Sequence, residues 1–182
     1  MKLLSRYSTC ACAVAVMAAV SPAWAQAPAA NPFTAVVRGS WDGVKKNVAG
    51  SAAAMPEADY GFKPVPTVRT FGQILGHLIN EHYLMCSGVK GEKNPQEATD
   101  YEKTTAKADL TKALTASIAY CDAVYAAMTD GAAFGTLELF GEKYSKLGVL
   151  QLNATHDGEH YGNLVTYLRI KGLVPPSSAP AK

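Results

Sequence analysis

Apolar residues recur along this chain at spacings of three and four, interrupted by polar and proline-rich stretches, with no sustained two-residue alternation. Phe33, Val37, Trp41, Val44 and Val48 form the first series, which runs to about Ala54. That period puts them on one face of a helix. Asn31 is its expected cap, and Pro32 takes the first helical position, where a missing N–H costs nothing. "MPEADYGFKPVPTVRT" follows, and Pro56, Pro64 and Pro66 exclude continued helix there. Thr70 and Gln73 fit a capping box that opens a second helix through about Ser87. Its apolar face is Phe71, Ile74, Leu75, Leu78, Met85 and Cys86, with His82 inside that arc and His77 at its margin beside Ile74 and Glu81. After the polar crossover "GVKGEKNPQEATD", a third helix at roughly 105–128 carries a seam of Leu110, Leu114, Ile118, Cys121, Tyr125 and Met128.

"TDGAAFGTLELFGEKY" reads as a glycine-rich connection with one short turn of its own. Ser145 then caps a fourth helix to about Lys171, stopped by Gly172 and kept from resuming by Pro175-Pro176. Leu147, Leu150, Ala154, Tyr161, Leu164, Val165 and Leu168 mark its buried side, and Gln151, Thr155, Glu159, Thr166 and Arg169 its wet side. Gly148, Gly158 and Gly162 each weaken it by ~1 kcal/mol relative to alanine, so they point to close approach of another helix or a ligand. A glycine-lined face also leaves a homodimer open. Four amphipathic helices of several turns predict an all-α fold, a four-helix bundle over residues 31–176.

The first residues follow a different logic. Lys2 and Arg6 precede an apolar run from Ala11 to Val20, and Ala23-Trp24-Ala25 supplies an A-x-A cleavage site. This is the pattern of a signal peptide over 1–25, with a flexible segment at 26–30 and a disordered tail at 177–182. The expected location is periplasmic or secreted, after cleavage near Ala25. No segment is long enough for stable membrane insertion. Without Lys2 and Arg6, the 17 basic residues become 15, which balance 15 acidic ones. A neutral domain offers no electrostatic footprint for nucleic acid. Cys86 and Cys121 remain after cleavage, and an oxidising compartment favours a disulfide. Two buried thiols are the alternative.

The candidate chemistry lies in "THDGEH", residues 155–160. His156 and His160 are four apart, so both imidazoles leave one side of a helix at the spacing of two ligands to one transition metal. A solvated polar pair is the commoner meaning of such spacing. Here, however, the pair borders an apolar face in a chain with only 4 histidines. The zinc-protease pattern H-E-x-x-H does not fit, because Asp157 replaces its glutamate and residues 161–182 contain no His, Asp or Glu. A third ligand must come from upstream: His77, His82 or a carboxylate such as Glu81.

"HDGEHYGNLVTYLRIKGLVPP" resembles the C-terminal signature of the DinB-like family of metal-binding four-helix bundles, and "FGQILGHLINEHY" is similar to its second-helix signature. The resemblance spans about Asn31 to Pro176. It implies an up-down-down-up topology with a long crossover, in which the second and third helices run parallel. It also implies a metal triad on His77, His156 and His160. Parallel helices would bring Cys86 and Cys121 to the same end of the bundle. Many members carry a further histidine before the last ligand and an arginine after it, where this chain has Glu159 and Tyr161.

Three histidines leave a fourth coordination position open, the arrangement of catalytic metal sites. The expected cofactor is a divalent transition metal, zinc or nickel. The expected function is metal-assisted hydrolysis or group transfer on an unknown small molecule, with Asp157, Glu81 and His82 as candidate catalytic groups and Asn153 beside them. The resemblance adds a thiol-type transferase, which export disfavours because reduced thiol cofactors are cytosolic. The alternative is a non-catalytic structural or partner-binding bundle.

Overall fold

The computed structural model describes residues 30–180. The expected signal peptide lies outside the described residues, as do positions 26–29 and 181–182. Four long helices make the body: α1 (Pro32–Ala54), α2 (Phe71–Lys90), α3 (Lys107–Ala127) and, after a short α4 (Asp130–Ala133) and a hairpin, α5 (Lys146–Ile170). The all-α reading holds, and α5 is the fourth helix of the sequence pattern.

Local chemistry explains most of the ends. At α2 the Thr70 side chain accepts from Gln73 N at 3.1 Å, and Thr70 N donates to Gln73 Oε1 at 2.9 Å, a complete capping box. Gly91, at φ 75°, closes the helix in the left-handed conformation that other residues rarely adopt. Ser145 caps α5 by accepting from Gly148 N at 3.0 Å, and Gly172 at φ 73° follows its last turn. At α1 the expectation is corrected. Asn31 makes no side-chain cap to its own helix; Asp130 of α4 accepts from Phe33 N and Thr34 N at 3.1 and 2.8 Å instead. Asn31 Oδ1 in turn accepts from Asp130 N at 2.9 Å, so the two segments cap each other.

The order of contacts fixes the topology. Gly72, His82 and Cys86 of α2 meet Leu110, Ser117 and Cys121 of α3, both ascending, so these helices run parallel. Along α5 the order reverses: Arg69, at the entry to α2, meets Tyr167, and His82 meets Asp157. Trp41 and Ala53 of α1 meet Asp122 and Lys107 of α3, again antiparallel. The bundle is therefore up-down-down-up.

Its interior has three layers. One apolar cluster gathers Val48, Met55, Phe71, Leu75, Leu78, Leu110, Leu164 and Leu168 at the end where α2 begins. A second gathers Val37, Trp41, Met85, Val124, Tyr125, Val149 and Leu150 at the other end. Between them lies a fully buried polar chain. His82 Nε2 donates to the Asp157 carboxylate at 3.0 Å, and its Nδ1 meets the Ser117 hydroxyl at 2.9 Å. Trp41 packs edge-on to His82 with ring centroids 5.2 Å apart and stacks on Tyr125 at 4.9 Å. Cys86 and Cys121, one turn further along, are joined as a disulfide with a Cα–Cα distance of 5.5 Å. With its ends 35 positions apart in sequence, chain entropy assigns this bond about 4 kcal/mol.

Four expectations need correction. Phe33, placed on the apolar face of α1, is 64% exposed, because the buried stripe at this end runs through Thr34, Val37 and Trp41 and leaves Phe33 to one side. The connection after α3 contains a two-stranded hairpin, Thr136–Leu139 paired antiparallel with Glu142–Ser145. Its two-residue turn, Phe140-Gly141, has φ 52° and 79°, the backbone of a type I′ turn. Gly158 and Gly162 have nothing within 4 Å of a hypothetical Cβ, and at Gly148 the nearest atom is the cap Ser145 Oγ, so no other element among the described residues approaches them closely. Residues 177 and 178, expected to be disordered, sit in a 3-10 turn, Pro176–Ser178, where Ser177 N donates to Tyr161 Oη at 2.9 Å.

Removing one member of a buried hydrogen-bonded pair strands the other away from water. Asp157→Ala is expected to lower unfolding stability by about 3–5 kcal/mol in urea titration. A loss below about 1 kcal/mol would mean that His82 finds another partner and that the pair is dispensable.

Candidate metal centre

Helices α2 and α5 bring His77, His156 and His160 together. Each offers a ring nitrogen, and the three ligand atoms lie within 4.8 Å of one another. His77 Nε2 is 3.2 Å from His156 Nε2. The His160 ring centroid is 4.8 Å from that of His77 and 4.5 Å from that of His156. Nitrogens on a tetrahedral ion with bonds of 2.0–2.1 Å stand about 3.3 Å apart, so the first pair already has ligand spacing.

The donor set fits a metal in three respects. Among the described residues no group outside the cluster engages His156: its Nδ1 is buried without a partner, and its Nε2 meets only His77. His82 is the contrast, a histidine with both nitrogens engaged by side chains. His77 donates from Nδ1 to Glu102 Oε1 at 3.1 Å, which leaves the lone pair on Nε2, the atom facing the cluster. Burial foremost holds all three imidazoles below their ordinary pKa, with the Arg69 charge adding to it at His77 and mutual repulsion between the rings opposing their joint protonation. They are neutral near pH 7, as ligation requires.

Three supporting side chains were not legible as such in the sequence. Glu102 comes from a 3-10 turn, Tyr101–Lys103, in the crossover, where Tyr101 N donates to Asn80 Oδ1 at 3.1 Å. A Cβ on Gly76 would overlap the Tyr101 carbonyl and Glu102 N, so this turn reaches α2 only because position 76 is glycine. A glycine inside a helix and next to a histidine was the available signal. Arg69 clamps Glu102 from its far side, with Nε and Nη2 donating at 3.0 and 3.2 Å. Asn163 lies 3.3 Å from His160 Nδ1 through its amide nitrogen. With the carboxamide turned over, its oxygen accepts Nδ1–H and frees His160 Nε2 for a metal.

The other sequence candidates sit elsewhere. His82 and Asp157 are occupied with each other in the core. Glu81 lines a separate small cleft with Asn94, Gln96 and Thr99, where burial holds its carboxyl above the ordinary value. Asn153 is buried and donates to the Tyr125 hydroxyl at 3.1 Å. The cleft that reaches the triad has a volume of about 770 Å³ and is lined by His160 together with Arg69, Gln73, Ile74, Asn163 and Tyr167.

Residues 40–164, more than half of the chain, match the sequence profile of the DinB superfamily. Among solved structures, a DinB-like protein from Bacillus cereus is 20% identical with a TM-score of 0.66, over 77% of this chain and 93% of that one. A DinB-like protein from Bacillus subtilis is 18% identical with a TM-score of 0.62, over 80% and 99%. A conserved protein from Enterococcus faecalis is 15% identical with a TM-score of 0.63, over 75% and 95%. At these identities the likeness carries the fold alone. No curated protein matches the chain significantly.

The His77–Glu102 bond orients a ligand ring, and loss of such a partner typically costs 10–100-fold in metal affinity. Glu102→Ala is expected to weaken zinc binding by about that factor in chelator competition. Unchanged affinity would remove Glu102 from the site.

Proposed function

This chain belongs to the DinB superfamily, and on that footing we propose that it is an exported protein holding one divalent transition ion on His77, His156 and His160. We propose further that it uses the site for metal-assisted hydrolysis or group transfer on a small molecule. The observation that carries this reading is the convergence of three desolvated imidazoles from two helices, one of which, His160, lines an open cleft. Zinc or nickel suits neutral imidazole ligands equally. When bound, such an ion supplies Lewis-acid polarisation of a carbonyl or phosphoryl oxygen.

The chain's own residues divide the remaining work. His77 keeps its proton on Nδ1 against Glu102 and turns Nε2 inward. His160 belongs both to the triad and to the cleft wall, so a molecule in the cleft lies against the ligand set. Asp157, His82 and Glu81 do not line that cleft; in this reading the first two hold the site in place rather than act in it. A purely structural bundle would have no use for a cavity opening onto its metal ligands. Export is supported by the leader pattern and by the Cys86–Cys121 disulfide, a bond rare in reducing compartments.

Elemental analysis of protein purified without a histidine tag is expected to find about one zinc or nickel ion per chain. His156→Ala and His160→Ala should each lose it while far-UV circular dichroism keeps its helical amplitude. Metal retained by both variants would place the site elsewhere. Protein expressed with its leader is expected to show an intact mass beginning at Gln26. A mass that retains residues 1–25 would contradict cleavage.

A further inference from the structure

The cleft beside His160 has an uneven chemistry. Arg69 is the only charged residue in its lining, which includes no Asp or Glu. Arg69 spends Nε and Nη2 on Glu102, and no hydrogen bond among the described residues uses Nη1. That bidentate pair holds the guanidinium, and Tyr167 Oη, which donates to Arg69 O at 2.8 Å, holds the main chain that carries it. Gln73 lies on the same wall. Its Oε1 is committed to Thr70 N in the capping box, so its amide nitrogen is the end left to donate. Val68, Ile74 and Tyr167 supply apolar surface in the same lining.

We propose that the cleft binds a small monocarboxylate with an apolar body, its carboxylate held by Arg69 Nη1 and Gln73 Nε2 and its other end directed at the triad. This assignment names the substrate class of the metal-site reading and rests on that reading for its chemical purpose. Nη1 supplies one charge-assisted donor and Gln73 Nε2 a neutral one, a pair suited to the two oxygens of a carboxylate. A phosphate dianion would bring two charges to a single guanidinium already paired with Glu102. The volume of about 770 Å³ lies within the range of small-molecule sites. Arg69 also connects through Glu102 to His77, so the anion site and the metal ligand share one hydrogen-bonded line.

The test titrates phenylacetate into zinc-loaded and metal-free protein, following side-chain amide signals by NMR, with phenylacetamide and phenyl phosphate as comparisons. Zinc per chain is measured on the same samples. Saturable phenylacetate binding is expected, about tenfold weaker or more for phenylacetamide and, in the metal-free titration, for Arg69→Gln with helicity unchanged. Arg69→Lys, which keeps the charge and loses the fork, should fall between. Equal binding of the neutral amide, tighter binding of phenyl phosphate, or full affinity in a folded Arg69→Gln would each overturn the carboxylate assignment. So would the absence of saturation up to about 10 mM, a level at which even weak sites fill. Because the metal-free titration does not depend on the triad, loss of zinc and loss of carboxylate binding are separate outcomes.

Discussion

The rest of the structure depends on the hydrogen bond between His82 and Asp157, both withdrawn from water. Two apolar helices can slide or rotate against each other at small cost, because apolar contact is non-directional. A buried imidazole and carboxylate cannot, since separating them leaves both unpaired in a medium that does not solvate them. The pair therefore locks α5 to α2 in rotation and height. Ser117 continues the lock into α3, and the disulfide repeats it one turn away.

The triad follows from that registration. His156 precedes Asp157 by one residue, and His160 follows it by three. His77 lies five residues before His82 on the antiparallel helix. Fixing the 82–157 contact thus brings His77 against His156 and His160 without any further device. The crossover then adds what the bundle lacks: Gly76 lets the Tyr101–Lys103 turn come down on α2, and Glu102 meets His77 there. Arg69, at the entry to α2, closes the line and faces the cleft.

Much of this was legible where the determining chemistry is local. The box at Thr70 and Gln73, the cap at Ser145 and the stop at Gly172 were readable from residues within one turn of one another. The apolar face of α2 followed from period alone, as did Leu150, Ala154, Leu164 and Leu168 on α5, where Leu147, Tyr161 and Val165 are only partly buried. The triad required more. Its spacing of four is local, but the choice of His77 over His82 rested on a family resemblance. What escaped depends on distant partners. Asp130 caps a helix some hundred positions earlier. Asp157, a carboxylate on a long helix, would ordinarily face water, and only its contact with His82 makes it a core residue. The hairpin was missed because four-residue strands carry too little alternation to stand out, although Leu137 and Leu139 do point inward.

X-ray absorption spectroscopy of the zinc-loaded protein tests the central claim most directly, because it reads the atoms around the ion. The account predicts nitrogen or oxygen scatterers at about 2.0–2.1 Å, with outer-shell scattering from about three imidazole rings and no sulfur contribution. A shell with one imidazole or none, or with sulfur near about 2.3 Å, would show that His77, His156 and His160 do not hold the metal.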